Sequence, residues 1–326
     1  MAEPTAFEDL VAQVQALGER VADNVETVVV GKREAIEIVL AALLCEGHVL
    51  LEDVPGVGKT VLAKAFSRSL DLTYRRIQCT PDLLPSDITG VSIYNQAEGG
   101  FSFHPGPVFT QVLLADEINR ATPRTQAALL EAMEERQVSV EDATRPLPRP
   151  FLVLATQNPV ELEGTFPLPE AQLDRFMVRV ELGYPTEAQE RAIARRFARA
   201  SPLDDLRPVA TADDLRRVGA LVRQVHVSDP VEEYLVRVVR ATRGGAGARL
   251  GASPRATLAL YHISQALAAL RGRAFVIPDD VKALAHPVLA HRVLLAAGGR
   301  LRGASSADVV TGALAAVAVP VEQPVG

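Results

Sequence analysis

The chain has 326 residues, enough for two domains, and its 48% hydrophobic and 23% charged residues suit a protein with a sizeable core. A net charge of −6, no tryptophan and 5% aromatic residues argue against general nucleic-acid binding, which calls for a basic surface and stacking platforms. The start, MAEPTAFEDLVAQVQALGER, lacks a signal-peptide core, and apolar runs such as Ile36 to Cys45 fall short of the ~20 residues that cross a bilayer, so a soluble cytoplasmic protein with no transmembrane segment is expected.

Apolar spacing predicts a helix over Leu10–Val28, set apart as an N-terminal element over 1–28. VVVGKREAIEIVLAALLCEG reads as a short extended piece and a helix ending near Gly47. HVLLE is a strand, and the loop from Asp53 to Lys59 leads into a helix from Thr60 to about Leu70. TYRRIQ, VLLADE, FLVLATQN and MVRVEL are further short strands, and their alternation with helices predicts an α/β fold with a parallel sheet covered on both faces. Two hairpin-like insertions interrupt it. One is GVSIYNQAEGGFSFHPG, turning at Glu98-Gly99-Gly100; the other is RQVSVEDATRPLPRPFLVL, with two arms around the turn-rich Glu141 to Arg149. After Gly183-Tyr184-Pro185-Thr186 helical periods dominate and strands disappear, giving a core over 29–184 and a helical domain over 185–326. Ser228-Asp229-Pro230, Ser253-Pro254 and Pro278-Asp279-Asp280 start its helices, Gly244-Gly245 and Gly272 stop two of them, and the Ala-rich tail is a last helix with a loose end.

The chemistry lies at the strand ends. In Asp53-Val54-Pro55-Gly56-Val57-Gly58-Lys59-Thr60-Val61, a turn between strand and helix aims backbone N–H groups and a helix N-terminus at one point, as a phosphate requires. Gly56 and Gly58 let the backbone turn inward, Lys59 can reach the β- and γ-phosphates, and the Thr60 hydroxyl can ligate Mg²⁺. Asp53 stands where G-x-x-x-x-G-K-[ST] begins with glycine, at the point where the chain leaves the strand. VLLADE ends in two carboxylates: Asp116 is placed to hold Mg²⁺ and Glu117 to polarise an attacking water, unless both are simply solvated acids. FLVLATQNP ends in Asn158, whose carboxamide can hold that water, though Asn-Pro is also an ordinary turn. Arg255 sits in the first turn of a helix, against the helix dipole, which marks it as functional. Arg175 could be functional or a surface cation paired with Asp174, and Arg120 and Arg124 could make contacts between copies or be surface charge. Cys45 and Cys79 lack C-x-x-C or histidine partners and read as buried thiols. Among six histidines, His286 and His291 are five apart around Pro287, poor spacing for shared metal ligation.

From about Val28 to His291 the chain resembles the MoxR family of AAA+ ATPases, through VVVGKREA, LLEDVPGVGKT, PSDITG, LLADEINRA, ATQNPVELEGTFPLPEAQLDRF and GASPRA. The resemblance implies an αβα sandwich with a central parallel sheet, a helix-2 insert (about 91–104) and a pre-sensor-1 hairpin (about 137–149), followed by an all-α lid domain. It makes Asp53 to Thr60 the Walker A loop, a position where the family accepts Asp or Gly at residue 53. Asp116 and Glu117 become Walker B, Asn158 sensor 1, Arg175 the arginine finger that reaches a neighbouring subunit, and Arg255 sensor 2. Val30 and Gly31 match the stretch lining the adenine.

The same resemblance implies an ATP- and Mg²⁺-dependent homo-oligomeric ring, a hexamer, acting as a chaperone. Its partners would be a von Willebrand factor A domain protein, supplied in trans, and a client protein undergoing maturation or metal-cofactor insertion. Tyr94, Phe101 and Phe103 are candidates for client contact or for plain hairpin packing. A magnesium-chelatase-like or helicase-like motor, and a nucleotide-gated scaffold with little turnover, are the alternatives; intact Glu117, Asn158 and Arg175 count against the scaffold.

Overall fold

The computed structural model describes residues 6–96, 99–140, 143–158, 164–198, 201–244, 247–296 and 303–320. Two helices, α1 (Ala6–Glu26) and α2 (Arg33–Leu44), precede β1 (Val49–Glu52), α3 (Lys59–Ser69), β2 (Tyr74–Gln78) and α4 (Pro85–Thr89). The hairpin β3 (Gly90–Asn95) and β4 (Gly100–Pro105) comes next, then β5 (Val112–Asp116) and α5 (Pro123–Glu135). A second hairpin, β6 (Gln137–Val140) and β7 (Ala143–Pro146), leads to β8 (Leu152–Gln157), α6 (Glu170–Leu173) and β9 (Val178–Val180). The remainder is α7 (Glu187–Phe197), α8 (Pro202–Asp205), α9 (Ala212–Val222), α10 (Asp229–Ala241), β10 (Ala248–Leu250), α11 (Pro254–Leu270), α12 (Pro278–Leu289), β11 (Leu294–Leu295) and α13 (Ser306–Ala316).

Five strands form one parallel sheet in the order β2-β5-β8-β1-β9. Strand alternation divides its side chains between two cores. Val49 and Leu51 of β1, with Val112, Leu114, Leu152 and Leu154, face a cluster that includes α2, α3 and the C-terminal helices. Leu50, Leu113, Ala115, Val153 and Ala155 face α5. Burial on both faces is why these strands read as continuous apolar runs rather than alternating ones.

Helix α1 buries Val14, Leu17, Val21 and Val25, a stripe at helical spacing, against both halves of the molecule. A Cβ at Gly18 would stand 2.5 Å from a methyl carbon of Leu270, so glycine here permits α1 to lie close against α11.

The expected sheet, helices and both hairpins are present, with three differences. The first is that residues 28–30, expected as a short extended piece, lie in turns and a bend. The second hairpin is tighter than expected: its return arm is Ala143–Pro146, inside the segment read as turn, while Leu152–Gln157 belongs to the central sheet. Alternation of small and polar residues in ATRP carries too little apolar signal to read as a strand. In the C-terminal region, β10 and β11 form one short antiparallel ribbon among the helices. Glu98 and Glu141 of the expected turns, Gly245, residues 159–163 and the end of the tail lie outside the described residues. Among the described residues no helix is long and apolar enough to cross a membrane.

Cys45 and Cys79 are buried, and burial pushes each thiol up to about 12. His48, just before β1, accepts from the Val153 amide at Nδ1 (3.0 Å) and sets Nε2 3.0 Å from the Met133 carbonyl, pinning β1 to β8 and α5. Burial pushes its pKa from 6.5 down to about 4. The unfolded chain therefore binds this proton more readily than the folded one. The stability that His48 contributes is complete above pH 6.5 and is lost as pH falls toward 4, an effect on the order of 3 kcal/mol. Denaturant titrations between pH 7 and pH 5 should show stability falling with pH, and less steeply in His48→Gln.

Candidate active site

Glu52 ends β1, and the chain turns through Gly56 (φ 86°) and Gly58 (φ 100°) into α3 at Lys59. Both φ values lie in the left-handed region that glycine adopts without strain. Nothing lies within 4 Å of where a Cβ would stand at either position, so the concave side of the loop is open. Helix α3 has no side-chain cap on its first N–H groups and no acid in its first turn, which leaves donors and dipole free for an anion. The Lys59 ammonium is held 2.6 Å from the Asp53 carbonyl oxygen. Burial lowers its pKa, while Asp53, Asp116 and Glu117 act in the opposite sense, which places both acids at the end of β5 in its field.

Asp53 proves to be a tether. One carboxylate oxygen accepts from its neighbour's amide, Val54 (2.8 Å), and the other from the Gly183 amide (2.6 Å). Lys32 donates to the carbonyls of Gly183 and Tyr184, at 3.2 and 3.3 Å. The phosphate loop and the segment before α2 are thus both fixed to the point where the core gives way to the C-terminal helices. Val30 is half-buried, and Gly31 (φ 67°) accepts at its carbonyl from Gln189 of α7, so the stretch expected at the adenine contacts that helical region.

The acids lie at the end of β5, one strand beyond β8 from the loop. Asp116 closes β5; its two oxygens accept from Thr156 Oγ1 (2.6 Å) and from Arg76 Nη2 (2.6 Å). Glu117, in a left-handed conformation (φ 56°), has its amide bonded to the same Thr156 hydroxyl oxygen (2.8 Å). Its carboxylate accepts from Gln78 (3.0 Å) and Arg120 (3.1 Å). Asn158 is buried directly after β8, whose Gln157 pairs with Glu52 at the start of the loop. Loop, acids and carboxamide therefore gather at one edge of the sheet, beyond the strands' C-terminal ends, where open α/β sheets bind ligands. Asp116 and the Thr60 hydroxyl on the first turn of α3 are hard oxygen donors suited to Mg²⁺.

The two arginines stand elsewhere. Arg175, just after α6, donates from Nε to Glu134 Oε2 (2.7 Å), and Arg255, on the first turn of α11, donates to the other oxygen of the same carboxylate. They share a cavity with Glu46, Gly47 and His48, the residues that precede β1. The length of β1, about 13 Å of strand, separates this end of the sheet from the loop. Asp174, expected as a partner of Arg175, is instead taken by Arg292 (2.7 Å) and the Ser253 hydroxyl (2.8 Å), which dock α11 and α12 onto the core. Burial pushes the Arg292 guanidinium down to about 10, with Asp174 opposing. Of the undecided arginines, Arg120 grips Glu117, and Arg124 is exposed at the start of α5.

Sequence reasoning passed over Arg76, Gln78, Thr156 and Glu134. The first two were legible in principle, because a strand with polar residues at its tip beside VLLADE faces the same acids. Glu134 was one of three acids in Glu131-Ala132-Met133-Glu134-Glu135, with nothing to single it out. In the hairpins, Phe103 packs against Phe109 and beneath the Arg145 guanidinium, 4.0 Å from its ring centre. Tyr94 and Phe101 pair with each other and remain 52% and 71% exposed. His291 is buried against the Phe176 carbonyl, and His286 bonds Thr311. Among the described residues no group of three or more His, Cys, Asp or Glu could hold a metal ion.

Comparison with known proteins identifies the family and the fold. Residues 48–178 match the ATPase family associated with various cellular activities (AAA), and residues 240–312 match the AAA lid domain. The chain is 43% identical to the chaperone MoxR1 of Mycobacterium tuberculosis, over 98% of this chain and 86% of that one. It is 47% identical to the uncharacterized protein YeaC of Bacillus subtilis, over 92% and 94%. A candidate ATPase from Cytophaga hutchinsonii, known from its crystal structure, superposes with a TM-score of 0.90 at 38% identity, covering 96% of this chain and 98% of that one.

Proposed function

Because the chain belongs to the MoxR family of AAA+ ATPases, we propose that it hydrolyses ATP, with Mg²⁺, at sites completed between neighbouring copies in a ring, and spends the energy on remodelling client proteins. The observation that carries this reading is the division of the machinery. The phosphate loop, Asp116, Glu117 and Asn158 occupy one end of the sheet, and Arg175 with Arg255 the other. On this reading neither arginine serves the phosphates bound by its own chain, and a head-to-tail neighbour brings the two ends together. Head-to-tail interfaces close into a ring when the rotation between successive copies closes.

In this reading the loop amides and Lys59 bind the β- and γ-phosphates, and Glu117 takes up the proton of a water that Asn158 orients. Arg175 and Arg255 of the adjacent copy meet the charge that builds on the γ-phosphate. Mg²⁺, held by Asp116 and Thr60, would supply further charge neutralisation. The hexameric ring, a von Willebrand factor A domain partner in trans, a role in maturation or metal-cofactor insertion, and work in the cytoplasm complete the proposal. The exposed pair Tyr94 and Phe101 is the surface we assign to client contact.

Turnover per subunit, measured against protein concentration with light scattering in parallel, tests the shared site. Turnover should climb as the assembly forms. A constant specific activity in a chain that scatters as a monomer at every concentration would end this reading.

A further inference from the structure

A cavity of about 260 Å³ opens at the start of β1, and Glu134, Arg175 and Arg255 line it. These three residues come from separate elements: the last turn of α5, the segment after α6 and the first turn of α11. Arginine side chains have large rotamer freedom, and two guanidinium groups placed together repel. One carboxylate resolves both difficulties by giving an oxygen to each.

We propose that Glu134 is a positioning residue that holds Arg175 and Arg255 as a single two-armed group for the triphosphate of a neighbouring copy. The proposal rests on the shared-site reading above. Three features support it. First, Glu134 is mounted on a fixed helix. Thr122 caps α5, Gln126 bonds the carbonyls of Ile118, Ala121 and Phe166, and Leu129, Leu130 and Met133 are buried. Second, the grip leaves donors for a ligand. Arg175 spends Nε on Glu134 and Nη1 on the Ala171 carbonyl, and Arg255 spends one Nη on Glu134. Among the described residues the remaining N–H groups of both guanidiniums have no partner and are left for an anion, with one net positive charge after Glu134 is counted. Third, the carboxyl is held below its ordinary range, first by Arg255 and then by Arg175, so it stays ionised as a clamp must.

The test uses full-length chain and ATP. Glu134→Gln should lower kcat by about 10- to 100-fold, as loss of an orienting partner does, with nucleotide affinity and assembly size unchanged. Glu134→Asp, which keeps the charge on a shorter arm, should lose less. Mixed assemblies then locate the defect. Combined with Glu117→Gln, Glu134→Gln should regain turnover, because intact loops meet intact arginines at some interfaces. Combined with Arg175→Ala it should regain none, since every interface then has a damaged arginine side. The reverse pattern, or a kcat within twofold of the parent, overturns the role of Glu134 alone. If the control mixture of Glu117→Gln with Arg175→Ala also stays inactive, the shared-site reading fails and takes this proposal with it.

Discussion

Glu117→Gln will bind ATP as the parent chain does and turn it over at least ~100-fold more slowly, the share that a positioned general base commonly contributes. Binding survives because the substitution keeps shape and hydrogen bonding: the new carboxamide oxygen can still accept from Gln78 and Arg120, and the Thr156 contact is to the backbone amide. Lys59 and the loop donors are untouched. What is lost is the capacity to accept a proton from water. Titration with a fluorescent nucleotide, beside steady-state phosphate release, separates the two effects. Turnover within a few-fold of the parent would mean that another group activates the water.

Arg175→Ala is the second large effect. The side chain lies at the opposite end of β1 from its own loop, so the isolated chain should hold nucleotide with unaltered affinity. Turnover in the assembly should fall by about 100-fold, less than the 10³–10⁵ that an arginine supplied in trans is worth to some GTPases. Arg255 remains to offset part of the charge. Arg175→Lys should recover little, because an ammonium cannot donate to Glu134 and present a second, planar pair of donors at once. The decisive readout is the split: kcat falls and nucleotide affinity does not. Unchanged turnover in a chain held monomeric would place the arginine outside the reaction.

Much of the nucleotide end was legible in the sequence because its parts are consecutive. A strand, two glycines in a turn, Lys59 and Thr60 announce a phosphate loop by spacing, and an apolar strand ending in Asp116-Glu117 announces the acids. The sheet was equally plain, since strands buried on both faces become continuous apolar runs. What stayed hidden depends on tertiary contact. The tether from Asp53 to Gly183 spans 130 positions, and the carboxylate shared by Arg175 and Arg255 comes from a third element, so local spacing carries no trace of either. The pairing of Arg175 with its sequence neighbour Asp174 was the natural local expectation. It failed because the buried Arg292 needs a carboxylate more than the half-exposed Arg175 does. The return arm of the second hairpin was missed for a different reason: ATRP pairs through its backbone, and little in its side chains marks it as a strand.

The central claim is that each active site is built from two copies. We would co-express Glu117→Gln and Arg175→Ala chains under different tags, purify assemblies through both tags, and measure ATP turnover beside each variant alone. Each variant alone should be nearly inactive. In random mixed rings about one interface in four pairs an intact loop with an intact arginine, so about a quarter of the parent turnover should return. Assemblies that contain both chains yet stay as inactive as either variant alone would contradict the account.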